Sequence, residues 1–338
     1  MQILVVRVGR VGDTVMMTPA LQAILQCYPD AQLTILASPE GKSLLRDFSP
    51  AIKEIWPWDR HGPVKSYLDK QALLKKISAS TFDHVYCFDT NPRIAALFAD
   101  ISCPFHWFNG SDTVKHTAKH YLDLVASSCN KPVDNYYNYL PVYQEQTRLL
   151  DNELQSLGIM PDDIVVMMHP TFSGYTKLGL RKRQARIRKL WPAINYGELG
   201  KRLASSPAID GRKIKSIIAL LPKELSLGRE IVQHSNDTIT LLESQADFGR
   251  YKALLKRANL LLTPDSGPMH IASALGTRIV AFFSMKDPED CGPYMNNADF
   301  TILRSDDPVQ GIATIDVNTV HKAVMEQLMA DISPGQHA

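Results

Sequence analysis

Two short stretches carry residues whose types and spacing suit group-transfer chemistry. Near the start, Arg7-Val8-Gly9-Arg10-Val11-Gly12-Asp13-Thr14 follows the apolar run Ile3-Leu4-Val5-Val6. A carboxylate just past the carboxyl end of a parallel strand lies where open α/β sheets bind ligands, the place where chemistry is expected. Asp13 or Thr14 is equally suited to capping a helix. Far along the chain, Thr263-Pro264-Asp265-Ser266-Gly267-Pro268-Met269-His270 follows Leu260-Leu261-Leu262 and precedes the small-residue run Ile271 to Gly276. Ser266 suits an N-cap, Pro268 suits a first helical turn, and Gly267 lets backbone approach a ligand. Such a helix start offers N–H groups and the positive dipole end to a phosphate. Asp265 and His270 flank it.

A third stretch, Met167-Met168-His169-Pro170-Thr171-Phe172-Ser173-Gly174, ends another apolar run with small hydroxyl residues that suit diphosphate contacts, or an ordinary turn. Lys177, Arg181, Lys182, Arg183, Arg186, Arg188 and Lys189 follow, seven cations without an acid among them. Most charge runs are solvated faces, but this one makes a positive field that favours an anionic partner. No aromatic interleaves those cations to stack on bases, so a phosphorylated lipid head group fits better than nucleic acid. Gly9 and Gly12 do not complete G-x-G-x-x-G, and no G-x-x-x-x-G-K-[ST] occurs, which argues against dinucleotide and P-loop sites. His116 and His120 share a helical face, but no third ligand is evident and no metal is expected.

The elements that must hold these residues alternate. Strand-like runs at Ile3–Val6, Leu33–Ala37, Ile52–Trp56 and His84–Phe88 are separated by helical patterns at Thr14–Tyr28 and Leu68–Ile77, with Lys115–Ser128 following. A second series has strands at Ile164–Met168, Ile214–Leu221, Thr238–Leu242, Leu260–Thr263 and Ile279–Phe283. Its helices fall at Tyr196–Leu203, Gly249–Arg257, Met269–Leu275 and Val317–Met329. Alternation of this kind predicts α/β architecture with parallel sheets. A length of 338 residues suits two such domains, predicted at 1–150 and 151–338, with a linker across 132–162. Net charge is +2, which supplies no global attraction to nucleic acid. Five scattered cysteines without a C-x-x-C pair read as reduced thiols. No apolar run reaches the roughly 20 residues of a membrane helix. The N-terminus opens as a strand without a signal-peptide layout, so a cytoplasmic protein is expected.

Three blocks, read together, resemble one family. They are Ile3 to Val15 with Thr18-Pro19-Ala20-Leu21, His169-Pro170 with Lys189-Leu190-Trp191-Pro192, and Asp265 to Gly276. They are similar to glycosyltransferase family 9, the ADP-heptose–lipopolysaccharide heptosyltransferases, over nearly the whole chain. The resemblance implies a GT-B fold: two facing Rossmann-like domains with parallel sheets and an interdomain cleft. The acceptor would sit on the first domain and the donor on the second, the last helix packing back on the first. It implies inverting, metal-independent transfer of a sugar, heptose from ADP-heptose by family default, to the Kdo inner core of lipopolysaccharide. No cofactor is implied beyond the nucleotide-sugar co-substrate. Asp13 would be the catalytic base. Thr171, Ser173, Lys189, Glu224, Asp265, Ser266, Gly267 and His270 would bind the donor. Gly12, Thr14 and the basic residues Arg181, Lys182 and Arg183 would meet the acceptor. Partners would be the nucleotide sugar, the lipid A–Kdo acceptor and the inner-membrane surface, met peripherally. The sequence departs from the family pattern in a longer, basic loop between Thr171 and Lys189, where Lys177 or Arg181 competes for the phosphate role. A nucleotide-sugar isomerase or hydrolase and a non-catalytic carbohydrate- or phospholipid-binding protein are the rival readings.

Overall fold

A computed structural model describes residues 1–59, 63–110, 113–129, 131–133, 135–176, 186–244, 247–296 and 299–330, with side chains of 63–66 excepted. The chain divides into two compact units, Met1–Pro141 and Val142–Ala338. The first is built on strands β1 (Gln2–Arg7), β2 (Gln32–Ala37), β3 (Ile52–Pro57), β4 (His84–Cys87) and β5 (Phe105–Trp107). All pair in parallel, in the order β3-β2-β1-β4-β5. Ile3, Leu4, Val5 and Val6 are fully buried, as a central strand covered on both faces requires. Each such side chain contributes about 1.5–3 kcal/mol, which fixes the strand and leaves adaptable chemistry to the turns beyond it.

The helical pattern across Thr14–Tyr28 is two helices, Val11–Met16 and Thr18–Cys27. Pro19 lies in the first turn of the second, where its missing N–H costs no internal bond. The first begins three residues before Thr14, so Gly12 is inside it and Asp13 is in its first turn. Thr18 Oγ1 accepts the Tyr139 N–H at 3.1 Å, and Gln22 Nε2 donates to the Tyr137 carbonyl at 2.8 Å. Those bonds tie 137–139 to the first unit. The helix Gln144–Ser156, inside the stretch read as linker, belongs to the second. Its Leu150 and Leu154 are buried, and Glu153 meets Arg250 of the helix Phe248–Arg257 through two bonds of 3.0 and 2.5 Å. The cysteine expectation holds for Cys87, Cys103 and Cys291, which are free, and is corrected for two: Cys27 and Cys129 form a disulfide between the ends of two helices 102 residues apart. Wide spacing in sequence hid a pair that packing of those helices makes.

The second unit has β6 (Ile164–Met168), β7 (Ile214–Leu220), β8 (Ile239–Glu243), β9 (Leu260–Pro264), β10 (Arg278–Phe283) and β11 (Phe300–Arg304), all parallel, ordered β11-β10-β9-β6-β7-β8. In each unit the strand order reverses once, between β1 and β4 and between β6 and β9. Doubly wound sheets bind ligands beyond the strand ends at that reversal. The last helix is Val317–Met329. Val320, Ala323, Val324 and Leu328 are buried in the second unit's core, against its own sheet. No described helix is long and apolar enough to cross a membrane.

Candidate active site

At the reversal in the first unit, β1 delivers Arg7 and the turn after it delivers Asp13, while β4 leads into Asp89. Arg7 Nη2 lies 2.9 Å from Asp13 Oδ1, and Nη1 lies 3.2 Å from Asp89 Oδ2. The guanidinium is 14 % exposed and the Asp89 side chain 5 %, whereas Asp13 keeps 29 %. Asp13 Oδ2 accepts the Arg10 N–H at 2.8 Å, and Asp89 Oδ1 accepts the Asn91 N–H at 3.0 Å. Burial disfavours the charged guanidinium, but Tyr121, Asp13 and Asp89 together outweigh it and hold Arg7 above its ordinary value. Burial likewise pushes the Tyr121 phenol up to about 12, so it stays a neutral partner of Arg7. Asp89 is thus buried, while Asp13 is partly exposed with one oxygen on Arg7 and the other capping its own helix through the Arg10 N–H.

Gly9 makes this possible. A Cβ there would stand 2.6 Å from Asp13 Cβ, 2.7 Å from its Oδ2 and 2.9 Å from Arg7 Nη1. Thr14 is fully buried and its hydroxyl donates to the Arg10 carbonyl at 3.2 Å. Gly12 is buried too. Both lie in the helix Val11–Met16, on either side of Asp13.

In the second unit, β9 delivers Asp265 and Ser266 to the helix Gly267–Leu275. Ser266 is the N-cap, but its Oγ pairs with Thr263 Oγ1 at 2.8 Å and makes no capping bond, leaving the first-turn N–H groups uncovered by it. Lys189 Nζ lies 2.5 Å from Asp265 Oδ2, joining two sequence blocks 76 residues apart. Lys189 is positioned from behind. The Arg188 carbonyl accepts from Ser284 Oγ at 3.1 Å, and Gly311 packs so closely that a Cβ would fall 2.2 Å from that carbonyl. Trp191, fully buried, donates from Nε1 to the Ile315 carbonyl at 2.8 Å and packs on Tyr196 and Phe282. His270 is buried one turn into the helix.

The end of β6 faces β9 across the same reversal, and His169 N–H continues their ladder to the Leu262 carbonyl at 2.8 Å. Thr171 Oγ1 stands 3.2 Å from His169 Nε2, and Tyr251 Oη stands 3.1 Å from His169 Nδ1. Desolvation holds the His169 imidazole down at about 4, so it is neutral near pH 7. The Glu224 carboxylate accepts from the Thr171 hydroxyl and, at 3.3 Å, from the Leu221 N–H. Burial raises the Glu224 carboxyl above its ordinary value. Ser173 is exposed in the turn that follows. Lys177, Arg181, Lys182 and Arg183 lie outside the described residues. His116 Nδ1 accepts the Ala118 N–H and His120 stacks on Phe108, which occupies both in local structure.

Arg7, Asp89, Tyr121 and Tyr251 escaped sequence reasoning. Arg7 and Asp89 do end apolar runs, which is the available signal, but their pairing across 82 residues follows only from β1 lying beside β4.

The model for Glycosyltransferase family 9 (heptosyltransferase) matches residues 101–310. The chain is 23% identical over 299 residues to the lipopolysaccharide core heptosyltransferase OpsX of Haemophilus influenzae, covering 86% of this chain and 81% of that protein. It superposes on a glycosyl transferase family 9 structure from Veillonella parvula with a TM-score of 0.81, 20% identity and 97% of both chains covered. E. coli heptosyltransferase WaaC, solved with ADP, gives 0.71 at 17% identity over 97% of this chain and 100% of its own.

Proposed function

Because this chain belongs to glycosyltransferase family 9, a family of GT-B fold, we propose that it moves heptose from ADP-heptose to the Kdo inner core of lipopolysaccharide. The observation that carries the reading is the Lys189–Asp265 pair at the tip of the helix Gly267–Leu275, where β6 and β9 diverge. The ammonium has three donors; one on Asp265 leaves two for oxygens of a diphosphate. Ser266, Gly267 and His270 complete that cradle. Thr171, Ser173 and Glu224 hold the rest of the donor on the second unit. WaaC with ADP and the lipopolysaccharide heptosyltransferase relatives support the choice of donor and acceptor.

The reaction is a single displacement with inversion. An acceptor hydroxyl, bound on the first unit, loses its proton to Asp13 and attacks the anomeric carbon. The bond from that carbon to the phosphate oxygen breaks, and the electron pair leaves on ADP. Lys189 and the helix-tip N–H groups meet the growing charge, a role that needs no metal and in which one donor is worth about 10²–10³ in rate. The lipid-linked acceptor draws the protein peripherally to the inner membrane. Arg181, Lys182 and Arg183 contact phosphate on that acceptor; alanine at all three should raise the acceptor Michaelis constant and leave that of the donor unchanged.

The test offers purified protein a panel of nucleotide sugars with lipid A carrying Kdo, read by mass spectrometry, with the product anomer assigned by NMR. ADP should appear only with acceptor present, at a rate unaffected by chelator. Donor turnover without acceptor would replace this reading with an isomerase or hydrolase.

A further inference from the structure

A concavity lined by none of the proposed donor- or acceptor-binding residues lies wholly within the first unit. It runs along the outer strand β3, two strands from β1 and its Asp13 turn. It is an open depression of about 420 Å³, and the basic side chains that rim it are exposed. Trp56, 6 % exposed, forms part of its wall. Four cations converge there: Lys42 from the helix Pro39–Leu45, Arg46 just after it, Lys53 from β3, and Lys76 from the helix Pro63–Ala79.

Their charge is not cancelled. Glu54 is the one carboxylate in the lining, and it accepts the Trp56 Nε1–H at 2.6 Å. Lys76 Nζ sits 5.4 Å from the centre of the Trp56 ring, and Lys53 Nζ donates to the Pro50 carbonyl at 3.1 Å. Among the described residues, none of the four cations is ion-paired with a carboxylate. Charges on an outer strand deter edge-to-edge pairing, which alone would account for Lys53. It does not account for Lys42, Arg46 and Lys76, which reach the same space from two helices and a helix end. Like charges gathered in a concave wall raise the local potential and favour an anion. A guanidinium fork beside ammonium groups suits the several oxygens of a phosphate.

We propose that this cavity binds an organic phosphate, carried by a small soluble molecule or by a phospholipid head group, at a site separate from that of the sugar donor. Binding should weaken as salt rises, since exposed charges are screened.

The test compares the full-length wild type with the triple variant Lys42→Ala, Arg46→Ala, Lys53→Ala. Lys76 is kept because it packs on Trp56. Glycerol phosphate is the soluble probe, titrated calorimetrically. Vesicles of phosphatidylcholine, with and without phosphatidylglycerol, are the lipid probe, read by co-flotation. Wild type should bind, and the triple variant should bind roughly tenfold more weakly or worse, as expected when charge-assisted bonds are lost. A second variant, Lys42→Arg with Lys53→Arg, keeps the charge and should keep the binding, which separates loss of charge from loss of fold. Loss confined to glycerol phosphate identifies a soluble ligand, and loss confined to vesicles identifies a head group. Phosphate held at the helix tip of the second unit would be insensitive to all of these changes. Absence of binding to either probe, or binding equal in wild type and triple variant, overturns the proposal.

Discussion

Arg7 decides where the Asp13 carboxylate points. It spans a partly exposed carboxylate and a buried one, and a guanidinium fork can serve both at 2.9 and 3.2 Å. Asp13→Asn should lower kcat by about 10²–10⁴, the usual worth of a general base, while calorimetry shows ADP affinity intact. Arg7→Lys keeps a charge beside Asp89 but surrenders one partner, so kcat should fall with little change in either Michaelis constant. Arg7→Ala strands Asp89 in the interior and should cost about 3–5 kcal/mol of stability by urea unfolding. His169 sets a pH dependence. Its folded value of about 4 lies below the ordinary 6.5, so the unfolded chain binds the extra proton between those values. Stability from this group is complete above pH 6.5 and is lost as pH falls toward 4, on the order of 3 kcal/mol in all. His169→Gln should flatten the rise of the urea midpoint across that window.

Turns, more than strands, place the reacting groups. Gly9→Ala would drive a methyl into Asp13, so transfer should drop sharply with ADP binding unchanged. Gly311 has φ +56 and touches the Arg188 backbone; Gly311→Ala should push away the helical segment 186–189, raise the donor Michaelis constant and lower the melting temperature. These contacts explain what could be read in advance. Continuous apolar runs announced β1, β4, β6 and β9, and the residues just beyond them announced Asp13, Thr171 and Asp265. The edge strands β5 and β11 went unread because they are short and half exposed, with no sustained pattern. The helix Gln144–Ser156 buries little besides Leu150 and Leu154 in a polar stretch, too sparse a stripe to stand out. Pairs such as Arg7–Asp89, Lys189–Asp265 and Cys27–Cys129 depend on which elements lie side by side, and no local spacing encodes that.

The chain builds the same plan twice, a doubly wound sheet with its working residues at the reversal of strand order. Each unit has its own core, so residues 142–338 expressed alone should fold and bind ADP. At a hundredfold excess over Kd, ADP should stabilise that fragment by about 2.7 kcal/mol in thermal unfolding, and residues 1–141 should show no such gain.

Arg7 and Asp89 issue from the inner strands β1 and β4, as Thr171 and Asp265 do from β6 and β9. Mutational drift is therefore unevenly affordable. Among distant relatives the rims of both sheets are free to diverge, lengthen or change character, while within each unit the two neighbouring strand ends must stay in step, since a slip in either would misaim the partner carried by the other.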